Sequence, residues 1–123
     1  MPGISIHVVD VASGLLAQGL KVELYSVTPN RSLVASGTIG PRGLLDDLRL
    51  EQTFAPGYFE AVLHVGEFYL TEQPQPARTS SAAPSITFLD LVTYRFGIAD
   101  PTQHYHLPFK MTAWGYSCFR GGA

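Results

Sequence analysis

Apolar and polar positions alternate with period two along most of this chain. Residues 4 to 9 read Ile-Ser-Ile-His-Val-Val, which sets Ile4, Ile6 and Val8 on one face of an extended segment and Ser5, His7 and Val9 on the other. His7 therefore points away from the more apolar face. From Leu20 to Val27 the pattern returns, with Leu20, Val22 and Leu24 opposing Lys21, Glu23 and Tyr25, and a short strand follows at Leu33 to Thr38. Pro56-Gly57 opens a strand over Tyr58 to Val65, in which Phe59, Ala61, Leu63 and Val65 share a face. Ile86 to Ile98 is rich in β-branched and aromatic residues and reads as one long strand; His104 to Met111 supplies another, and Tyr116 to Arg120 a last short one. Between them lie turn formers: Ser13-Gly14, Thr28 to Ser32, Gly40-Pro41-Arg42-Gly43, Asp100-Pro101-Thr102 and Trp114-Gly115. Residues 67 to 73 predict about two helical turns, stopped by Pro74. Gln73 to Ser85 carries three prolines and no apolar pattern, and reads as a solvated loop. Seven or eight short strands with one brief helix indicate an all-β antiparallel sandwich, with residues 1-123 as a single domain.

Composition narrows the function classes. With 123 residues the chain buries roughly two-thirds of its surface on folding, enough for a core without staples. Hydrophobic residues make up 46% and charged residues only 15%, lean in charge for a monomer whose whole outside faces water, so an oligomer is expected. A net charge of −2 without a Lys/Arg cluster argues against a nucleic-acid partner, and no stretch approaches the ~18 apolar residues of a membrane span. One cysteine, Cys118, rules out an internal disulfide and a CxxC zinc site. Met1-Pro2-Gly3 leads straight into strand-like sequence without a basic or apolar leader, so a cytoplasmic protein is expected. Small molecules and other protein chains remain as partners.

The candidate chemistry is concentrated in histidine and arginine. His104 and His106 stand two apart on a strand, so both imidazoles project from one face about 7 Å apart. Three readings are open. With His7 as a third ligand the pair would form a zinc claw; as partly buried hydrogen-bonded residues they would be structural; as groups titrating near neutral pH they would serve as acid and base. Arg42, held between turn formers, and Arg120 in Phe-Arg-Gly-Gly could each bind a planar anion or carbonyl-rich ligand through the guanidinium fork, or stand as solvated loop residues. Cys118 has no base beside it in sequence and reads as an inert thiol. Tyr105, Phe109, Trp114, Tyr116 and Phe119 belong to a core or a subunit interface.

Ile6-His7-Val8-Val9-Asp10, Gly40-Pro41-Arg42, the run Ala99-Asp100-Pro101-Thr102-Gln103-His104-Tyr105-His106-Leu107-Pro108, and Gly115 to Gly122 together resemble the transthyretin-like 5-hydroxyisourate hydrolases over nearly the whole chain. The resemblance implies an eight-stranded sandwich assembled as a homotetramer with sites between dimers. It also implies hydrolysis of the cyclic amide of 5-hydroxyisourate, in urate degradation, without metal or cofactor. The family's working residues fall on His7, Arg42 and His106 as catalytic groups, and on Phe119, Arg120 and Gly122 in the carboxy-terminal tetrapeptide; His104 is a candidate to orient His106. Two hydroxyls are missing, because the family's Tyr-Arg-Gly-Ser is Phe119-Arg120-Gly121-Gly122 here. Three consequences are open: a substrate methylated on its ring nitrogens, as expected from caffeine-type methylxanthines; weakened turnover of the ordinary substrate; or a non-catalytic channel that binds a small ligand.

Overall fold

Each alternating segment buries its apolar face, and the burial orders the strands. The computed structural model describes residues 2–71 and 86–122. In chain order it has β1 (Gly3–Asp10), β2 (Leu15–Leu16), β3 (Lys21–Ser26), β4 (Ser32–Thr38), a 3-10 turn (Leu48–Glu51), β5 (Gly57–Leu63), helix α1 (Val65–Thr71), β6 (Val92–Ile98), β7 (His104–Thr112) and β8 (Gly115–Cys118). Two four-stranded sheets result, with orders β2-β1-β7-β8 and β4-β3-β5-β6. Ile4, Ile6 and Val8 of the first sheet and Val22, Leu24, Ala61 and Leu63 of the second turn inward to one shared core, with Leu107 and Phe109 of β7 among them. The expected transthyretin-like sandwich with one short helix is the observed architecture.

Four local expectations are corrected. β1 runs parallel to β7, whereas the other five strand pairs among the described residues are antiparallel. Hairpin neighbours must be antiparallel, but β1 and β7 are separated by the whole second sheet, so no short turn fixes their direction. The long strand expected over Ile86 to Ile98 begins only at Val92. Leu63, the last residue of β5, pairs with Val92, and the chain then turns into α1, leaving residues 86–91 no ladder partner. The helix starts at Val65, two residues before the expected position, because Val65, Phe68 and Tyr69 form a helical-period stripe that packs on the core. Finally, Leu15–Leu16 adds a two-residue edge strand beside Val9 and Asp10. The proline-rich stretch from Pro74 to Pro84 lies outside the described residues.

A buried carboxylate secures the end of β1. Asp10 is 2% exposed and accepts hydrogen bonds from the Tyr69 hydroxyl (2.5 Å) and the Ser13 hydroxyl (2.6 Å). Burial, then the hydrogen bond to Asp10 and its charge, push the Tyr69 phenol well above its ordinary range, so it stays a donor. The bond ties α1 to the first sheet. Among the described residues no helix is long and apolar enough to cross a membrane.

Candidate active site

The outward face of the β2-β1-β7-β8 sheet collects the candidate residues because two distant segments dock on two neighbouring strands. Along one edge of β1, the Val8 amide donates to the Gly43 carbonyl (2.9 Å) and the Leu45 amide donates to the Ile6 carbonyl (3.1 Å). That lays the Gly40-Pro41-Arg42-Gly43 turn, closed by the Gly43 amide donating to the Gly40 carbonyl, directly beside His7. β7 lies on the other edge of β1, with Ser5 opposite His106 and His7 opposite Pro108. Beyond β8, the Gly121 amide donates to the His106 carbonyl (2.7 Å), which brings the chain terminus back to β7. The resulting row contains the turn, His7, His106 and Gly121. The His7 and His106 ring centroids are 6.4 Å apart, tilted by 43°.

Both rings are flanked by glycine, for steric reasons. A Cβ on Gly43 would stand 2.7 Å from His7 Nε2 and 2.6 Å from a Leu16 methyl, and Gly43 has φ +79°, a left-handed conformation suited to glycine. A Cβ on Gly121 would stand 2.8 Å from His106 Cδ2. The backbone therefore approaches each imidazole more closely than any other residue permits.

Ser5 projects between the two histidines of β7. Its Oγ is 2.8 Å from His104 Nε2 and 2.6 Å from His106 Nδ1. Burial, then the neighbouring His7 and His104, lower the pKa of His106 below the usual imidazole value. His106 is thus held toward its neutral form. Against Ser5 and His104, though not lined by His106 or His7, lies an open depression of about 220 Å³ whose wall also includes Arg42, Asp46 and Glu51.

The other predicted residues are placed less uniformly. Arg42, expected to be held firmly by its turn, has a 71% exposed side chain and meets only Asp46 (3.1 Å) among the described residues, an exposed pair that gives little restraint. Arg120 turns toward Gln103 and the backbone carbonyl of His104 (3.4 Å). Its Nη2 donates to Gln103 Oε1 (2.7 Å) and its guanidinium lies 4.1 Å from the Tyr105 ring centre. Phe119 is exposed, and a Cβ on Gly122 would meet nothing within 4 Å. Tyr105 and Phe109 are buried, whereas Trp114 and Tyr116 are exposed. Burial pushes the Cys118 thiol up to about 11, so it is not a thiolate near neutrality. Among the described residues no group of three or more His, Cys, Asp or Glu side chains is arranged to hold a metal.

The sequence alone assigns no role to Ser5, Gln103, Asp46 or Gly43, and it does not reveal that Gly121 of the carboxy-terminal tetrapeptide stands against His106. The available signal for Ser5 was its place on the same outward face as His7. What was lacking was the β1–β7 register that sets it against His106.

Two four-stranded sheets with an imidazole-rich outer face define a transthyretin-like sandwich carrying a candidate small-molecule site. The chain belongs to the HIUase/Transthyretin family, whose model matches residues 4–121. The 5-hydroxyisourate hydrolase 2 of Rhizobium meliloti (strain 1021) is 37% identical over 123 aligned residues, covering 96% of this chain and 94% of that protein. A solved (S)-allantoin synthase superposes with TM-score 0.80 at 28% identity over 98% of this chain, which spans 43% of that longer one. The Klebsiella pneumoniae 5-hydroxyisourate hydrolase shares the fold with TM-score 0.77 at 20% identity, over 99% of this chain and all of that one.

Proposed function

We propose that the whole chain, 1-123, is one hydrolase domain that opens the cyclic amide of 5-hydroxyisourate or of an N-methylated analogue in purine catabolism, without metal or cofactor. The observation that carries the reading is the His7–His106 pair, two imidazoles 6.4 Å apart on one outer sheet face. Lactam opening needs a nucleophilic water, stabilisation of the oxyanion that forms as water adds to the carbonyl, and a proton for the nitrogen that leaves when the C–N bond breaks. A neutral imidazole takes the proton from water, and the imidazolium so formed can return one to the nitrogen. The depressed pKa of His106 favours the neutral, proton-accepting form at neutral pH. Arg42, loosely tied to Asp46, is available to swing onto a substrate carbonyl, and Arg120 takes the same role once released from Gln103. His104 orients His106.

The finer substrate assignment rests on Phe119 and Gly122. An N-methyl group has no hydrogen to donate, and a hydroxyl facing it would be desolvated and unpaired, whereas a phenyl ring and a bare glycine offer apolar contact and room. Trimethyl-5-hydroxyisourate, expected from methylxanthine breakdown, fits that description. The exposed Trp114, Tyr116, Phe119 and Leu15 support a homotetramer that covers this face and places sites between dimers; a cytoplasmic location belongs to the same proposal.

The test offers freshly generated 5-hydroxyisourate and its trimethyl analogue to the protein and follows absorbance against spontaneous decay. Faster decay of the methylated compound alone is the expected result. In the Phe119→Tyr/Gly122→Ser variant the preference should move toward the unmethylated compound. Acceleration of neither by the native protein defeats the enzyme reading in favour of a ligand-binding relative.

A further inference from the structure

We propose that Ser5 is a positioning residue: through a single hydroxyl shared with His104 and His106 it decides which nitrogen of His106 carries hydrogen. The inference rests on the proposed function only for its consequence on rate. The hydroxyl lies 2.8 Å from His104 Nε2 and 2.6 Å from His106 Nδ1, both hydrogen-bond distances. A serine has one hydrogen to donate and lone pairs to accept with. It therefore cannot donate to both rings, and the two imidazoles cannot both present a bare nitrogen to it.

Three ways of using both contacts remain. Oγ has two lone pairs and can accept from both rings, which leaves the His106 hydrogen on Nδ1 and the hydroxyl hydrogen to solvent. Otherwise it donates to one ring and accepts from the other, in two arrangements that differ at the far side of His106. If Ser5 donates to His106 Nδ1 and accepts from His104 Nε2–H, the His106 hydrogen sits on Nε2, which then cannot take a proton. If Ser5 donates to His104 Nε2 and accepts from His106 Nδ1–H, His106 Nε2 keeps its lone pair and can act as a base. The second arrangement also suits the imidazolium that forms when Nε2 is protonated, since that ring must donate from Nδ1. The structure supplies the condition for it: His104 gives the hydroxyl somewhere to send its hydrogen. His104 and Ser5 thus act as a unit upon His106, and neither needs to touch substrate.

The arrangement follows from the fold. Ser5 shares the outward face of β1 with His7, the parallel register sets it opposite His106, and His104 stands two residues earlier on the same face of β7. One residue of slip would turn Ser5 into the core.

The test reads hydrogen position directly, by long-range nitrogen–proton correlation on histidine-labelled full-length protein without substrate at about pH 8, above the ordinary imidazole range. His106 is expected to carry its hydrogen on Nδ1 in the native protein and in Ser5→Thr, which keeps the hydroxyl. In Ser5→Ala, and separately in His104→Ala where the hydroxyl is left to donate to His106, the hydrogen should move to Nε2. Turnover should then fall about tenfold or more in kcat with KM little changed, and Ser5→Thr should recover most of it. Hydrogen on Nε2 in the native protein, or no change in a folded Ser5→Ala or His104→Ala, overturns the proposal. The hydrogen shift without any native turnover would sink the hydrolase reading and leave the coupling standing; native turnover without the shift would do the reverse.

Discussion

The first sheet carries three histidines on its outer face and the second is followed by one at the end of β5; His106 of the first and His64 beside the second are partnered in opposite ways. His64, directly after β5, lies 2.9 Å from Glu23 Oε1, and that hydrogen bond holds the Glu23 carboxyl below its usual range. His106 on β7 meets a serine hydroxyl and neighbouring imidazoles, with no carboxylate paired to it among the described residues. The arginines differ in how firmly they are held. Arg31 and Arg95 both close on Glu60, a mostly buried carboxylate, at 2.5 Å and 3.3 Å, whereas Arg42 meets the carboxylate of Asp46 in an exposed pair and Arg120 meets the neutral Gln103 amide and His104 carbonyl. A mostly buried carboxylate partner fixes a cation in place and uses up its charge; neutral partners orient an imidazole or a guanidinium and leave its chemistry available.

The sharpest way to break this contrast is to delete the histidines beside the two sheets one at a time. His7→Ala and His106→Ala should each lower turnover by about 10²–10⁴-fold, the range for losing a general acid or base, while His64→Ala changes it by no more than about twofold. Comparable losses from all three, measured by the absorbance assay, would abolish the distinction. Next in size is Gly43→Ala. Its Cβ meets His7 and Leu16 in a left-handed backbone, so unfolding stability should fall by about 2–3 kcal/mol in urea titration, with the His7 resonances displaced.

Stability against pH separates the two sheets by window. The folded pKa of His106 is lowered from 6.5, so its contribution is fully present above that value and is lost as pH falls through the folded value, because the unfolded chain takes up the proton first. Glu23 and Glu60 are lowered from 4.5 by His64 and by Arg31 with Arg95 respectively, so their contribution holds above 4.5 and is lost as pH falls through their folded values. Urea midpoints measured from about pH 7.5 down to about pH 3 should decline in two stages. His106→Asn should flatten the upper stage and Glu23→Gln part of the lower. The smallest effect is expected at Gly122→Ser, where open space surrounds the added side chain: stability within about 0.5 kcal/mol of native by thermal unfolding.

Much of this contrast is legible along the chain. Alternation at residues 4 to 9 places His7 outward, and the two-residue spacing of His104 and His106 places both on one face. Asp100-Pro101-Thr102 closes as a turn, its Asp100 side chain accepting from the Thr102 amide, as its composition predicts. Less legible are the ends of elements. Residues 86–91 have strand-like composition, but β5 ends at Leu63 and offers them no edge. Arg42 looks confined by its glycines and proline, which restrict its backbone and leave the long side chain in solvent.

The sequence by itself determines facing: strand pleating is local, so a period-two pattern assigns each side chain to core or outer surface wherever the strand ends up. Only the tertiary structure decides adjacency. The parallel β1–β7 register that sets Ser5 against His106, the docking of Gly43 and Gly121 against two imidazoles, and the turn of Arg120 toward Gln103 all join residues about fifteen to a hundred positions apart. Ladder pairing and close packing between distant segments fix those contacts, and no local pattern encodes them.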